Sequence, residues 1–189
     1  DARTWLDRVE GYMEPLAPSM RAKVEAAYAP FVAAMRQQNP DLTESFFQLR
    51  AIGNLHMGVG SVNEKKFLAR VAGPTDAPAD DVIYEVKEVT RIEPGTCVAG
   101  DPERDPLRVI RGQERLSGVH QRFLGFVRID GRAFYVHTWR VNYTELDVED
   151  IATAAELAEV AYDVGVQLGR GHPQGMAAPP GHSVARAIE

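Results

Sequence analysis

RFLGFVRIDGRAFYVHTWRV, residues 122–141, is the stretch that decides the fold. Two segments rich in β-branched and aromatic residues flank Asp130-Gly131, a dipeptide that favours the left-handed backbone of a tight hairpin turn. Because the strands of a hairpin are antiparallel, the stretch predicts an antiparallel sheet.

Another strand is predicted well before this hairpin, at VIYEVKEV, residues 82–89. Its side chains alternate, so Glu85 and Lys87 face one side of the sheet and Tyr84 and Val86 the other. A lysine in the middle of a strand is costly unless it is paired or lies at a rim. Lys87 is therefore either a functional residue or part of a solvated sheet face.

Two earlier segments, residues 47–57 and 67–71, also alternate with a period of two. They flank a glycine turn within MGVGSVNEKKFLARV, residues 57–71, which predicts a second hairpin. The first segment is expected to place the following residues on one face: Leu49, Ala51, Gly53, Leu55 and Met57.

The first forty residues have helical spacing, beginning with Trp5, Val9 and Met13. Ser19 is the predicted N-cap of a second helix that Pro30 should kink or divide. The apolar stripe of that helix comprises Met20, Val24, Tyr28, Phe31 and Met35.

Two more helices are predicted. One follows the strand at 82–89, with Asp105 as its N-cap and Pro106 in its first turn. The other runs from about residue 150 to 171 and ends at Pro173. Its expected buried stripe comprises Ile151, Ala154, Leu157, Ala161, Val164 and Leu168.

This order predicts an α+β fold with a five-stranded, mostly antiparallel sheet and a helix inserted between its third and fourth strands. We divide the chain into a helical segment at 1–45, the sheet with its helix at 46–145, and a C-terminal helix and tail at 146–189. The last part would begin a further lobe.

Composition narrows the classes of partner. The chain has 189 residues, 44% of them hydrophobic, and a formal net charge of -6. It has no long run of Lys or Arg, which argues against a nucleic-acid partner. No window approaches the roughly 20 apolar residues that cross a bilayer, so no membrane partner is expected.

The single cysteine, Cys97, cannot form an internal disulfide and fits a cytoplasmic location. The five histidines show no spacing typical of metal ligands, so no metal site is predicted from them.

The order of the predicted elements resembles the N-lobe of a protein kinase. It comprises a glycine hairpin, a lysine on the third strand, a helix that carries an acid, and two further strands. In kinases the glycine loop covers nucleotide phosphates, and the lysine contacts them while a helix carboxylate holds it. The corresponding candidates are Gly58, Gly60 and Ser61, then Lys87, then Gln113 or Glu114. Gln113 and Glu114 point about 100° apart on a helix, so only one can face Lys87.

The series GVGSV, YEVKEV, RVIRGQERL, FLGFVRIDGRAFYV and GVQLGRGH is more specific than any one motif. Over about residues 47–173 it resembles the C-terminal half of a mostly bacterial family, domain of unknown function 2252, which is similar to aminoglycoside phosphotransferases. The resemblance implies that Gly58, Gly60, Ser61, Lys87 and Gln113 bind a nucleotide. The sequence departs from kinases at Glu85, where they place a small residue that makes room for adenine.

The resemblance implies ATP and Mg²⁺ as cofactors, with a nucleotide and an unknown phosphoryl acceptor as partners. This sequence lacks the Gly-Asp-x-His-x-x-Asn stretch of the family, so its catalytic residues are unknown. Phosphotransferase activity would then need residues from the remaining part of a longer chain. The alternative is a pseudokinase-like, non-catalytic binding module in which Lys87 and the glycine turn are structural.

Overall fold

The computed structural model describes residues 13–56, 64–90, 105–116, 122–139 and 146–175. These residues contain six strands: β1 (Met13–Pro15), β2 (Leu49–Leu55), β3 (Lys66–Val71), β4 (Val82–Glu88), β5 (Gly125–Ile129) and β6 (Arg132–Thr138). They also contain three α-helices: α1 (Pro18–Gln38), α2 (Asp105–Leu116) and α3 (Ala154–Gly175). The mixed composition and the helix between β4 and β5 agree with the prediction from sequence.

The six strands form one antiparallel sheet in the order β1-β2-β3-β4-β6-β5. The predicted count of five strands is wrong because Met13, expected in a helix, begins the short strand β1 and pairs with Leu55. A three-residue strand is too short to show a period of its own, and its pairing with β2 stabilises it.

The tight turn predicted at Asp130-Gly131 joins β5 and β6. Asp130 and Gly131 both have positive φ, 52° and 74°, which is the backbone that a two-residue turn of the primed type requires. Lys23 of α1 lies 2.8 Å from the Asp130 carboxylate, so the same turn also contacts the helix.

Helix α1 covers one face of the sheet. It starts at Pro18 and continues through Pro30 as one helix, so of the kink or division expected at Pro30, the division is wrong. Its predicted stripe is confirmed, since Val24, Phe31 and Met35 are buried. Facing them is Gly125 of β5, where an added Cβ would lie 2.8 Å from Phe31 Cε2. The close approach of helix and sheet at this point therefore needs a glycine.

The main core lies between α1 and this face of the sheet, which we call the helix face. Its strand residues include Phe67, Val71, Tyr84, Val86, Val127, Phe134 and Val136. A smaller cluster on the other face joins Leu55, Leu68 and Ile83, with Met13 and Trp139 packed against it. The alternation predicted for β4 is thus confirmed.

The sequence pattern predicts that alternate residues of β2 share one face of the sheet along the whole strand. The structure shows that they do not. A β-bulge shifts its register, so Leu49 pairs with Val71 and Ala51 with Arg70. Leu49 therefore packs on the main core, whereas Leu55 belongs to the smaller cluster. A bulge inserts one residue and reverses the faces on either side of it, which a strict period of two cannot reveal.

The described residues within 1–110 and 121–142 belong to one compact unit, and those within 111–120 and 143–189 belong to a second. Helix α3, in the second unit, begins with a capping box. The Thr153 hydroxyl accepts from the Glu156 N–H at 3.2 Å, and the Glu156 carboxylate accepts from the Thr153 N–H at 2.9 Å. These hydrogen bonds lower the pKa of Glu156.

The stripe expected to be buried along α3 is exposed. Leu157, Val164 and Leu168 have 56%, 50% and 49% of their surface exposed. Helical spacing shows which residues share a side of a helix but not what covers that side. The helix also continues to Gly175, beyond the end expected at Pro173.

Tyr84 is the largest fully buried side chain of the described core, and its ring meets Phe31 and Phe123 edge-on. No described residue forms a hydrogen bond with its hydroxyl. We expect Tyr84→Phe to raise the free energy of unfolding by about 1 kcal/mol, because the variant no longer buries an unpaired hydroxyl. Urea denaturation measures the change.

Tyr28→Phe is the matched control, because the Tyr28 hydroxyl donates to the Phe47 carbonyl at 3.0 Å. Losing this hydrogen bond should cost about 1 kcal/mol, so the two Tyr→Phe changes should have opposite signs. A loss of stability in Tyr84→Phe equal to that in Tyr28→Phe would show that the Tyr84 hydroxyl is paired.

Candidate functional site

Lys87 lies near the end of β4, on the sheet face opposite α1. We call this the Lys87 face and define it by Lys66 and Leu68 of β3, Glu85 and Lys87 of β4, and Tyr135 and His137 of β6. The side chains of Glu85, Lys87 and His137 are 14%, 27% and 22% exposed. They are mostly shielded from water, which the interpretation as a solvated sheet face does not predict.

Glu64 is the carboxylate that the structure places beside Lys87. Its Oε2 lies 3.8 Å from Lys87 Nζ, and its side chain is 23% exposed. The Thr90 hydroxyl donates to the other carboxylate oxygen of Glu64. Glu64 is thus held from two sides, and it can restrict the direction of the Lys87 side chain.

Backbone and side-chain contacts fix the start of β3 beside this pair. The Lys65 N–H donates to the Glu88 carboxylate at 3.0 Å, and the Glu88 N–H donates to the Lys65 carbonyl at 2.9 Å. Arg132 lies 3.0 Å from the same carboxylate. The position of Lys66 at the start of β3 is therefore set by the sheet.

The predicted partners of Lys87 lie on α2. Gln113 is half-buried and Glu114 is exposed, and both belong to the second compact unit, whereas Lys87 belongs to the first. A pairing of Lys87 with Gln113 or Glu114 stays a prediction. Gly58, Gly60 and Ser61, predicted to cover phosphates, lie outside the described residues.

A second contact, between His137 and Glu85, lies on the Lys87 face beside the Lys87–Glu64 pair. His137 Nε2 is 2.8 Å from the Glu85 carboxylate, and His137 Nδ1 is 3.1 Å from the Thr138 carbonyl. Both ring nitrogens thus contact acceptors within the protein, which leaves neither to act as a base toward a substrate. The imidazole also stacks on the Tyr135 ring, with centroids 5.3 Å apart and planes 14° apart.

The Tyr135 phenol remains protonated over the whole physiological pH range. Burial raises its pKa to about 12, and the nearby carboxylates of Glu85 and Glu64 add to the rise. The hydroxyl is therefore a hydrogen-bond donor on the same face as Lys87.

Mg²⁺, which the resemblance implies as a cofactor, has no cage of protein ligands among the described residues. They contain no group of three or more His, Cys, Asp or Glu side chains that could hold a metal ion. On or beside the Lys87 face, the Glu64 carboxylate already faces Lys87 and the Glu85 carboxylate faces His137. The chemistry that these residues support is anion binding by an ammonium group and a phenol.

Sequence reasoning missed Glu64, Lys66, Tyr135 and the Glu85–His137 pair. The period of two in β3 and β6 could have placed Lys66 and Tyr135 on one face or the other. It could not show that Lys66 and Tyr135 lie opposite Lys87, because that requires the register between strands.

Comparison with known families gives a match. A family model, domain of unknown function 2252, described as an uncharacterized protein conserved in bacteria, matches residues 3–187. The chain belongs to this family. The match of this DUF2252 protein extends beyond the residues 47–173 on which the resemblance was based.

No curated protein and no solved structure matches this DUF2252 chain. Within its described residues, no helix has both the length and the apolar character that a membrane span needs.

Proposed function

We propose that this chain is the nucleotide-binding lobe of a kinase-like phosphotransferase and that Lys87 binds the phosphates of the nucleotide. The observation that carries the proposal is the Lys87–Glu64 ion pair on a sheet face that is mostly shielded from water. A lysine in this setting costs free energy unless its charge is used, and an adjacent carboxylate orients it toward an anion.

The element order supports the same function. Strands β2 and β3 flank the predicted glycine turn, β4 carries the lysine, and α2 precedes the β5–β6 hairpin. Under the proposal, Gly58, Gly60 and Ser61 cover the phosphates, since glycine allows backbone N–H groups to approach them closely. Glu64 then orients the lysine, a role the sequence assigned to Gln113 or Glu114.

The proposal is limited to binding. Phosphoryl transfer needs a base for the acceptor hydroxyl and ligands for the metal ion, and the described residues near Lys87 provide neither. The acceptor is unknown. We therefore propose a lobe that is incomplete for catalysis by itself, with a pseudokinase-like interaction module as the alternative.

Titration with Mg-ATP tests the proposal. We expect millimolar Mg-ATP to raise the melting temperature, because a ligand that binds only the native state stabilises it by mass action. We expect Lys87→Met to reduce the affinity by about tenfold or more, measured by calorimetry, since a charge-assisted contact to phosphate is worth roughly 1.5–3 kcal/mol.

Lys23→Met is the control, because Lys23 is an exposed lysine of α1 that pairs with Asp130 and lies away from the Lys87 face. It should bind nucleotide as the unaltered protein does. If millimolar nucleotide leaves the melting temperature unchanged, or if Lys87→Met binds as well as Lys23→Met, the interaction module replaces the nucleotide-binding lobe as the better proposal.

A further inference from the structure

Helix α3 carries most of the large apolar side chains that are exposed among the described residues. Seven such side chains are exposed, and four of them lie on this helix: Leu157, Tyr162, Val164 and Leu168. Leu157, Val164 and Leu168 share one side of the helix, because they are separated by seven and four residues. A large continuous apolar surface of this kind on a soluble protein marks a site of interaction.

The exposed side of α3 has the pattern of a coiled-coil helix, in which apolar residues recur at alternating intervals of three and four. Five residues follow this pattern, and we call them the α3 seam: Ala154, Leu157, Ala161, Val164 and Leu168. All five are exposed. Residues at these positions of a coiled coil insert between those of a facing helix, so the α3 seam is suited to a second helix.

No charged residue flanks the α3 seam. The positions beside it on the helix are Ala158, Val160, Gly165 and Gln167. The charged residues of α3 before its last turn all lie on the remaining side: Glu156, Glu159, Asp163 and Arg170. A helix that packs on the seam therefore removes no charged group from water, and the small residues Ala158 and Gly165 allow the two helices to approach closely.

The α3 seam matches a second copy of itself in the antiparallel direction. When a twofold axis passes between Ala161 and Val164, Ala161 lies level with Val164 of the second copy. The same axis places Leu157 level with Leu168 of the second copy. Symmetry repeats both layers, so one seam fills four successive layers with its own residues.

The charges of α3 favour the same direction. Its first half carries Glu156, Glu159 and Asp163, and its second half carries Arg170. An antiparallel pair places the acidic half of each helix beside the half that carries Arg170, whereas a parallel pair would place the three acids beside their own copies. These groups point away from the seam, so they influence the direction of pairing while the apolar layers provide most of the affinity.

The area of the α3 seam is sufficient for a weak dimer. The overlap of two such helices from residue 154 to residue 171 is about 27 Å long and about 10 Å wide, so both copies together bury on the order of 1,000 Å². This area is at the lower limit for specific interfaces, and we expect a dissociation constant of about 1–100 µM.

We propose that two copies of this chain associate through antiparallel pairing of their α3 helices, with Leu157 of each copy packed against Leu168 of the other. This inference goes beyond the proposed function and does not rest on it. Lys87 belongs to the first compact unit, and α3 belongs to the second.

The test is sedimentation equilibrium of the whole chain over about 1–300 µM, a range that brackets the expected dissociation constant. Leu157→Lys and Leu168→Glu should each weaken self-association by about tenfold or more, because each places a charge in both Leu157–Leu168 layers. An equimolar mixture of the two variants should associate again. In that heterodimer one layer pairs the introduced Lys with the introduced Glu, and the other keeps both leucines.

Tyr162→Lys is the matched control, because Tyr162 is 72% exposed on α3 but lies outside the α3 seam. It should dimerise as the unaltered chain does. Leu157 and Leu168 are 56% and 49% exposed, and Lys and Glu are good helix formers, so both seam variants should keep the helix. Circular dichroism checks that they do.

Each result supports or overturns the proposal. A chain that stays monomeric to about 300 µM overturns it, and so does a dimer that Leu157→Lys leaves unchanged. Equal weakening by Tyr162→Lys and Leu157→Lys would show that the seam is not the interface. If the two seam variants are monomeric alone and stay monomeric when mixed, the antiparallel arrangement is wrong.

Discussion

Replacing Asp81 by asparagine is expected to lower the free energy of unfolding by about 3–5 kcal/mol, as for other buried ion pairs that lose one partner. The Asp81 side chain has no exposed surface, and its carboxylate pairs with Arg70 Nε and with Arg50 Nε, the latter at 3.3 Å. The Arg50 contact is an ion pair but is not aligned as a hydrogen bond. Without the carboxylate, two guanidinium groups would share one partly buried region.

Asp76→Asn is the control for this prediction, since Asp76 also faces Arg50, at 3.6 Å, but has a fully exposed side chain. Its expected effect is within about 0.5 kcal/mol, because exposed ion pairs contribute little. Urea denaturation of both variants gives the comparison. Equal effects of Asp76→Asn and Asp81→Asn would show that burial does not decide the strength of this cluster.

Phe134→Ala is expected to destabilise the fold by about 3–5 kcal/mol, through lost burial and the cavity that remains. Phe134 is 1% exposed on the helix face, and its ring lies 5.5 Å from that of Phe67. The measurement is again the free energy of unfolding by urea. The slope of this free energy against urea concentration should equal that of the unaltered protein, which excludes a change in the unfolded state.

Phe126→Ala provides the matched control from the other strand of the same hairpin. Phe126 is 37% exposed and lies on the sheet face opposite α1. The cavity that its loss leaves is open to solvent, so the cost should be about 1 kcal/mol or less. A loss in Phe126→Ala as large as that in Phe134→Ala would place the main core on the wrong face of the sheet.

Features set by neighbouring residues could be predicted from the sequence. The hairpin at Asp130-Gly131 follows from the positive φ that this dipeptide tolerates, and both residues have it. The buried stripe of α1 follows from helical spacing, because Val24, Phe31 and Met35 share one side of the helix. The insertion of α2 between β4 and β5 follows from their order in the chain.

Features set by residues distant in the chain could not be predicted in this way. Strand β1 exists through its pairing with β2, and the bulge in β2 depends on its register with β3. The Glu64–Lys87 pair joins the segment before β3 to β4, and no local pattern aligns the two. Asp81, just before β4, is buried because Arg50 and Arg70, which are distant from it in the chain, converge on it.

The contact of Gly125 with Phe31 and Met35 also affects how the chain folds during synthesis. Helix α1 leaves the ribosome long before β5, yet β5 is the strand that covers these two side chains. Native contacts between such distant segments form slowly, because a long loop must close before they can be made. The apolar side of α1 therefore stays exposed until the residues of β5 have been synthesised, and such transiently exposed apolar surface favours aggregation.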